Sequence, residues 1–124
     1  MNDLQTIISD TSIVIAADDG KFVVGQINVS KEFSPRKIYG KELQFWYFNR
    51  LIVREDYRNQ GYAKKMLSKL IEILRQKQIN LWLDINPYGD LNHEQLEELY
   101  MKYGFKKYDY GYVWIYDMQN EEMQ

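Results

Sequence analysis

The sequence predicts an α/β (α+β) domain, a mixed central sheet of about six to seven strands flanked by helices. Three observations predict it. β-Branched runs fill the early part of the chain, two later segments carry apolar residues at helical spacing, and strand-like and helix-like segments alternate from residue 43 onward. The order reads β-β-β-α-β-α-β-β, and its β-α-β portion implies a parallel pair joined by a right-handed crossover. At 124 residues, without repeat, low-complexity tract or linker, the chain reads as one domain over 1–124.

Leu4, Ile7 and Ile8 suit either a short helix or an edge strand. Residues 12–17 and 21–29 are β-branched runs, and Asp18-Asp19-Gly20 between them is a hairpin signal, because glycine accepts the positive φ of such a turn. Residues 30–41 hold Ser34-Pro35 and Gly40 and read as a loop or irregular edge. A long strand is expected at 43–53, with Phe45, Tyr47, Leu51 and Val53 on one face and Trp46, Phe48 and Ile52 on the other. Apolar on both faces, it belongs between layers. Residues 61–77 form a helix through Ala63, Met66, Leu67, Leu70 and Leu74, with Lys64, Lys65 and Lys69 outside. Residues 79–85 form a strand with Ile79, Leu81, Leu83 and Ile85 on its apolar face and Asn80, Trp82 and Asp84 on its polar face; Pro87, Gly89 and Asp90 end it. Asn92 followed by Gln95 is a capping-box pattern, opening a helix that runs to about Tyr103 and stops at Gly104. Residues 105–118 supply two short strands hinged near Tyr110-Gly111.

Composition narrows the function. Hydrophobic residues at 45% and charged residues at 27% describe a soluble globular chain. Absence of cysteine excludes disulfides, thiolate metal sites and a cysteine nucleophile, and a single histidine with scattered acids makes no metal-ligand set. The N-terminal stretch lacks the pattern of a secretion signal and no segment reaches membrane-spanning length, so a cytoplasmic location without a membrane partner is expected. A net charge of −2 argues against a nucleic-acid partner. The competing reading, an RNA-binding αβ domain, draws on the 15% aromatics and on Arg/Lys-rich loops, but the acidic balance and the lack of the aromatic RRM motif oppose it. Charge is unevenly placed: Arg54 to Lys77 carries seven basic residues against three acids, whereas Asp84 to Glu98 carries five acids and neither Lys nor Arg. Two solvated helix faces account for that pattern; a cationic acceptor bound by the acidic stretch is the sharper alternative.

The stretch Leu51 to Ala63 carries most information. A buried strand runs through a loop into a helix whose first amides are unpaired and favour an anion. Gly61 lets backbone approach a phosphate with no β-carbon between, Ala63 keeps the helix start close to its strand, and Arg58 and Lys64 add positive charge. The pattern lacks the Gly-Lys-Ser/Thr of a nucleotide P-loop and the full dinucleotide glycine fingerprint. A glycine at an ordinary helix start is the plain alternative.

Arg58-Asn59-Gln60-Gly61-Tyr62-Ala63 after Leu51-Ile52-Val53 resembles the acyl-CoA-binding motif of GNAT acetyltransferases, and Leu99-Tyr100-Met101-Lys102-Tyr103-Gly104-Phe105 resembles a second segment of that family. The resemblance spans roughly residues 12–118. It implies acetyl-CoA as cosubstrate, held at its pyrophosphate by backbone N–H groups of Arg58, Asn59, Gln60, Gly61, Tyr62, Ala63 and Lys64. The pantetheine arm would lie along Leu51, Ile52 and Val53 like an added strand, with the Leu51 N–H near the thioester oxygen. Tyr100 aligns with the tyrosine that many members use as general acid toward the departing thiolate; a core tyrosine on the inner helix face is the alternative. Asp84 is the candidate base for the acceptor amine, directly or through a water that Tyr47 and Asn49 position. Asn92 and His93, at the start of the second helix, are placed on the cofactor side, His93 as a cofactor or helix-start contact. The implied reaction is N-acetyl transfer to a primary amine, of a small molecule or a protein, by direct attack in a ternary complex. A GNAT-fold protein that binds acyl-CoA without transferring, as a sensor or interaction module, is the other reading.

The N-terminal part departs from the family. Its usual strand and two helices, which help form the acceptor site, are cut short, since only about ten residues precede the first clear strand. Either the acceptor site is open, with the loop at 30–41 closing part of it, or a second copy of the chain completes it. Tyr108, Tyr110, Tyr112, Trp114 and Tyr116 are the candidate surface for such a homodimer, unless they are a two-sided hairpin packed on the core.

Overall fold

The computed structural model describes residues 4–87 and 91–122. The elements follow as β1 (Leu4–Ile8), β2 (Ser12–Asp18), β3 (Val23–Lys31), β4 (Arg36–Ile38), β5 (Lys41–Leu43), β6 (Phe45–Val53), α1 (Tyr62–Lys77), β7 (Asn80–Leu83), α2 (His93–Lys102), β8 (Lys106–Tyr108), β9 (Gly111–Trp114) and α3 (Tyr116–Glu122). Seven strands form one mixed sheet in the order β1-β2-β3-β6-β7-β9-β8, and β4-β5 is a separate two-stranded hairpin. The predicted parallel pair is β6 with β7, connected through α1. No described helix is long and apolar enough to cross a membrane.

Local chemistry explains several elements directly. In the β2–β3 turn, Gly20 has φ +99° and its N–H donates to Asp18, while the Asp19 carboxylate accepts from Lys21 and Phe22 N–H. At α2 the Asn92 side chain accepts from the Gln95 N–H and the Gln95 side chain accepts from the Asn92 N–H, each at 2.9 Å. Gly104, at φ +102°, ends that helix.

Of the two readings for Leu4, Ile7 and Ile8, the edge strand is the one the structure shows. Three expectations need correction. Residues 30–41 are less irregular than expected, because Arg36–Ile38 pairs with Lys41–Leu43 and seats Ile38 in a core. The face assignment along β6 breaks midway: Val29 pairs with Phe48 but Asn28 pairs with Arg50, so Asn49 is the extra residue of a bulge. Leu51 and Val53 therefore join Trp46 and Phe48 on the α1 side, while Phe45 and Tyr47 pack on the opposite side. Residues 116–122 are helix α3 rather than strand, with the Gln119 amide donating to the carbonyls of Gly104 and Ile115. Gly89 and Asp90, expected to end the strand before α2, lie outside the described residues.

Two apolar cores sandwich the sheet. The larger gathers Ile13, Ile15, Ile27, Phe48, Leu81, Leu83 and Trp114 under α1 and α2; the smaller gathers Ile38, Phe45, Trp82, Val113 and Ile115 on the other face. The strand face carrying Trp82 is thus not polar: Trp82 is 2% exposed. The C-terminal aromatic run is mostly core as well, with Tyr112 and Trp114 buried and Tyr110 the exposed member. β8 is a sheet edge and carries Lys106 and Lys107, charges that discourage edge pairing.

Tyr112 also ties α2 to the sheet by donating its hydroxyl to Glu97. Burial, and then that bond, push the Tyr112 hydroxyl up to about 12. An unfolded tyrosine titrates near 10, so the folded state holds its proton over a higher range. The contribution is complete below about pH 10 and is lost as pH rises toward about 12. Alkaline unfolding followed by circular dichroism is expected to show stability falling across that window. Tyr112→Phe should flatten the slope and cost about 1 kcal/mol at neutral pH; an unaltered slope would mean that the Tyr112 hydroxyl is not the group that titrates.

Candidate active site

The site begins where two neighbouring strands part. β6 and β7 pair from Phe45/Asn80 to Phe48/Leu83, where β7 stops, and β6 continues to Val53 paired only with β3. The edge of residues 49–53 that faces away from β3 therefore has no strand partner. The bulge at Asn49 sits at the divergence and adds twist there.

Beyond this free edge lies a groove of about 440 Å³. Leu51, Ile52, Val53, Arg58, Asn59, Gly61, Tyr62, Ala63 and Lys64 line it, facing Leu91, Leu96 and Leu99. Nine of the sequence-selected cofactor residues thus meet on one surface. The α1 N-terminus forms its end. Gly61 is the N-cap at φ +87°, no side chain caps the helix, and no acid stands in its first turn. A β-carbon on Gly61 would meet nothing within 4 Å, so its outer side is open space. Arg58 Nε donates to the Val53 carbonyl at 3.0 Å, fixing the loop to the strand it leaves. Tyr57 steadies the loop from the other side by donating to Asp19 at 2.5 Å. That bond, and then the Phe22 and Lys21 N–H groups, hold the Asp19 carboxyl down at about 2.

A smaller cavity of about 40 Å³ opens at the divergence itself, lined by Phe48, Asn49, Arg50, Leu51, Leu83, Asp84, Ile85, Asn86, Leu96 and Tyr100. The three catalytic candidates, Leu51, Asp84 and Tyr100, share this cavity. Tyr100 is 5% exposed and meets Phe48 and Phe105 edge-on at 5.6 and 5.8 Å, which fixes its ring. Asp84 lies just past the end of β7. Its two carboxylate oxygens accept from Tyr47 Oη at 2.9 Å and Trp82 Nε1 at 3.0 Å. Burial, and then the Asp84 bond, raise the Tyr47 hydroxyl above its ordinary range. Asn49 donates to Ser30 at 2.9 Å.

Some selected residues fall elsewhere. Gln60 is exposed and donates to the Asp56 carbonyl at 3.3 Å, and neither cavity includes it. Asn92 spends its side chain on its own helix start, and exposed His93 lines neither cavity. The two helix N-termini differ in this respect: α2 is closed by its capping box, while α1 is bare. Of the acids from Asp84 to Glu98, only Asp84 reaches the small cavity; Glu97 is held by Tyr112, Glu94 and Glu98 are exposed, and Asp90 is outside the described residues. The described acids of this stretch therefore do not gather in one cavity.

Sequence reasoning missed the support behind Asp84. Trp82 is clasped by Arg36, whose guanidinium lies 4.1 Å from the ring centroid and donates two hydrogen bonds to the Glu32 carboxylate at 2.7 and 2.8 Å. Gly111 backs the indole: a β-carbon there would lie 2.3 Å from Trp82 Cζ2. Period-two spacing put Trp82 and Asp84 on one face, which was the available signal. Among the described residues no group of three or more His, Asp or Glu side chains is placed to hold a metal.

The family description "Acetyltransferase (GNAT) domain" matches residues 9–107. The chain belongs to the GNAT acetyltransferase family. A search of curated protein sequences finds no match. Solved GNAT structures share the fold at low identity. The ribosomal-protein-S18-alanine N-acetyltransferase of Escherichia coli is 12% identical with a TM-score of 0.68, over 91% of this chain and 90% of that one. A GNAT family acetyltransferase from Elizabethkingia anophelis, solved with acetyl-CoA bound, is 14% identical with a TM-score of 0.64, over 87% and 78%. An aminoglycoside acetyltransferase from an uncultured soil metagenomic sample is 23% identical with a TM-score of 0.57, over 82% of this chain and 63% of its own. Against the GNAT pattern, β1 supplies the first strand, but only residues 9–11 stand where two helices usually lie. The β4–β5 hairpin and α3 cover part of the sheet face opposite α1 and α2.

Proposed function

We propose that this chain is an N-acetyltransferase that carries an acetyl group from acetyl-CoA to a primary amine in a ternary complex. One observation carries the reading: the free edge of β6 runs from the bare α1 N-terminus into the cavity that holds both Asp84 and Tyr100. The groove suits the donor. Uncapped amides and open space at Gly61 fit a diphosphate, and an unpaired strand edge fits an amide-bearing arm.

Acetyl-CoA, when bound, supplies an activated acyl carbon and a thiolate leaving group. The Leu51 N–H stands where charge on the acyl oxygen would be held. Asp84, anchored by Tyr47 and Trp82, takes the proton the amine loses as the C–N bond forms. Tyr100 gives a proton to the sulfur as the C–S bond breaks. Because a thiol near pKa 8.5 already leaves readily, Tyr100→Phe is expected to lower kcat by about 10²-fold or less, with acetyl-CoA affinity retained. Calorimetry with acetyl-CoA and thiol release across an amine and peptide panel test the proposal. Absence of binding would end it. Binding with no turnover on any acceptor would favour an acyl-CoA-binding sensor.

A further inference from the structure

The small cavity holds one formal charge of each sign. Arg50 and Asp84 both line it, about 40 Å³ of space between the diverging strands. Arg50 is exposed and, among the described residues, has no ion pair or hydrogen-bonding partner from its side chain. Among the described residues Asp84 accepts hydrogen bonds only from the neutral donors Tyr47 and Trp82, and the Arg36 guanidinium acts on it through space without a bond. The nearby Arg36 and Glu32, by contrast, neutralise each other in a two-point pair. Neutral amides and a hydroxyl, Asn49, Asn86 and Ser30, complete the surroundings.

We propose that the acceptor is a small zwitterion, a primary amine and a carboxylate on one molecule, with Arg50 as the residue that selects the carboxylate. This rests on the transferase reading above. An ammonium alone would be repelled by Arg50, and an anion alone by Asp84; a molecule bearing both groups satisfies both side chains. Arg50 presents a planar fork that matches a carboxylate in two-point contact. The cavity's volume admits only the reactive end of the acceptor, placing amine and carboxylate close together, as in a free amino acid. Arg50 is exposed, so the cavity meets solvent there and the remaining side chain can extend outward.

The test compares kcat/KM for glycine, methionine, phenylalanine and glutamate with that for the α-carboxamide of each, in the parent and in Arg50→Glu and Arg50→Lys. Acetyl-CoA affinity is measured on every protein. At least one acid is expected to exceed its amide by about ten- to hundred-fold, mainly through KM. Arg50→Glu should erase that preference, and Arg50→Lys should keep part of it. If acetyl-CoA binds and amides serve as well as acids, or no acid is acetylated, the inference is overturned while the donor site stands. Failure to bind acetyl-CoA at all would instead remove the underlying transferase reading.

Discussion

Gly61→Glu is expected to abolish acetyl-CoA binding while leaving the fold nearly as stable as before. The two effects separate because they act on different terms. At φ +87° a residue with a β-carbon costs about 1–2 kcal/mol, but a carboxylate at a helix N-terminus recovers about 0.3–1 kcal/mol from the helix dipole. No neighbour lies within 4 Å of the new β-carbon, so no clash is added. For the ligand nothing is recovered. A fixed negative charge would stand where the bare α1 amides are to meet a diphosphate, and at about 5 Å that repulsion is on the order of 3 kcal/mol or more. Affinity should fall at least about 100-fold. Gly61→Asn separates charge from shape, since asparagine tolerates the left-handed conformation and is neutral; its loss should be about tenfold or less. If calorimetry finds both variants binding like the parent, the diphosphate is held somewhere other than the α1 start.

The contrast between α1 and α2 shows which parts of the site were legible in the sequence. Capping is a local event: Asn92 and Gln95 close a helix wherever it packs, so the box could be read from spacing alone. The same holds for Gly61, whose left-handed φ is set within one turn. The bulge at Asn49 was not legible. A period-two reading assumes an unbroken pleat, and nothing in Phe48-Asn49-Arg50 announces that one residue is unpaired. That slip concealed two facts: Leu51 and Val53 share a face with Phe48, and the strands part at this point.

Tertiary contacts explain the remaining misses. The strands of the β4–β5 hairpin are three residues each and rich in charge, with Arg36, Lys37, Lys41 and Glu42. They hold their form because Arg36 lies on Trp82, Ile38 enters the smaller core, and Tyr39 meets Tyr108 edge-on at 5.0 Å. Segment 116–122 continues an aromatic alternation that suits a strand, but the Gln119 amide reaching Gly104 and Ile115 secures a helix. In both cases the deciding partner is distant in sequence. The consequence is functional, because the hairpin on this face also grips the tryptophan that orients Asp84.

That grip makes Gly111 a sensitive position outside the groove. Gly111→Ala would put a β-carbon 2.3 Å from Trp82 Cζ2, 2.7 Å from Cε2 and 3.1 Å from Asp84 Oδ1. Trp82 cannot simply slide away, because Arg36 lies over one side of its ring and Tyr110 meets it at 5.8 Å. Overpacking of this kind costs about 1–3 kcal/mol, which lowers Tm by roughly 4–12 °C in a domain of this size. The indole displacement also breaks or lengthens the Trp82–Asp84 bond, so the carboxylate loses one of its two anchors. Misplacing a base by even about 1 Å is expected to cost on the order of 10²-fold in kcat, while acetyl-CoA binding, which the proposal assigns to the free edge of β6 and the α1 start, should stay as before. A second substitution separates stability from catalysis. Adding Trp82→Phe to Gly111→Ala removes the ring atoms that clash and should restore much of the Tm, yet it also removes the indole N–H, so kcat should stay low. Recovery of both together would show that packing alone was at stake. Normal kcat in either variant would remove Asp84 from the proton path, because a base that works equally well unanchored is not the one this tryptophan is positioned to serve.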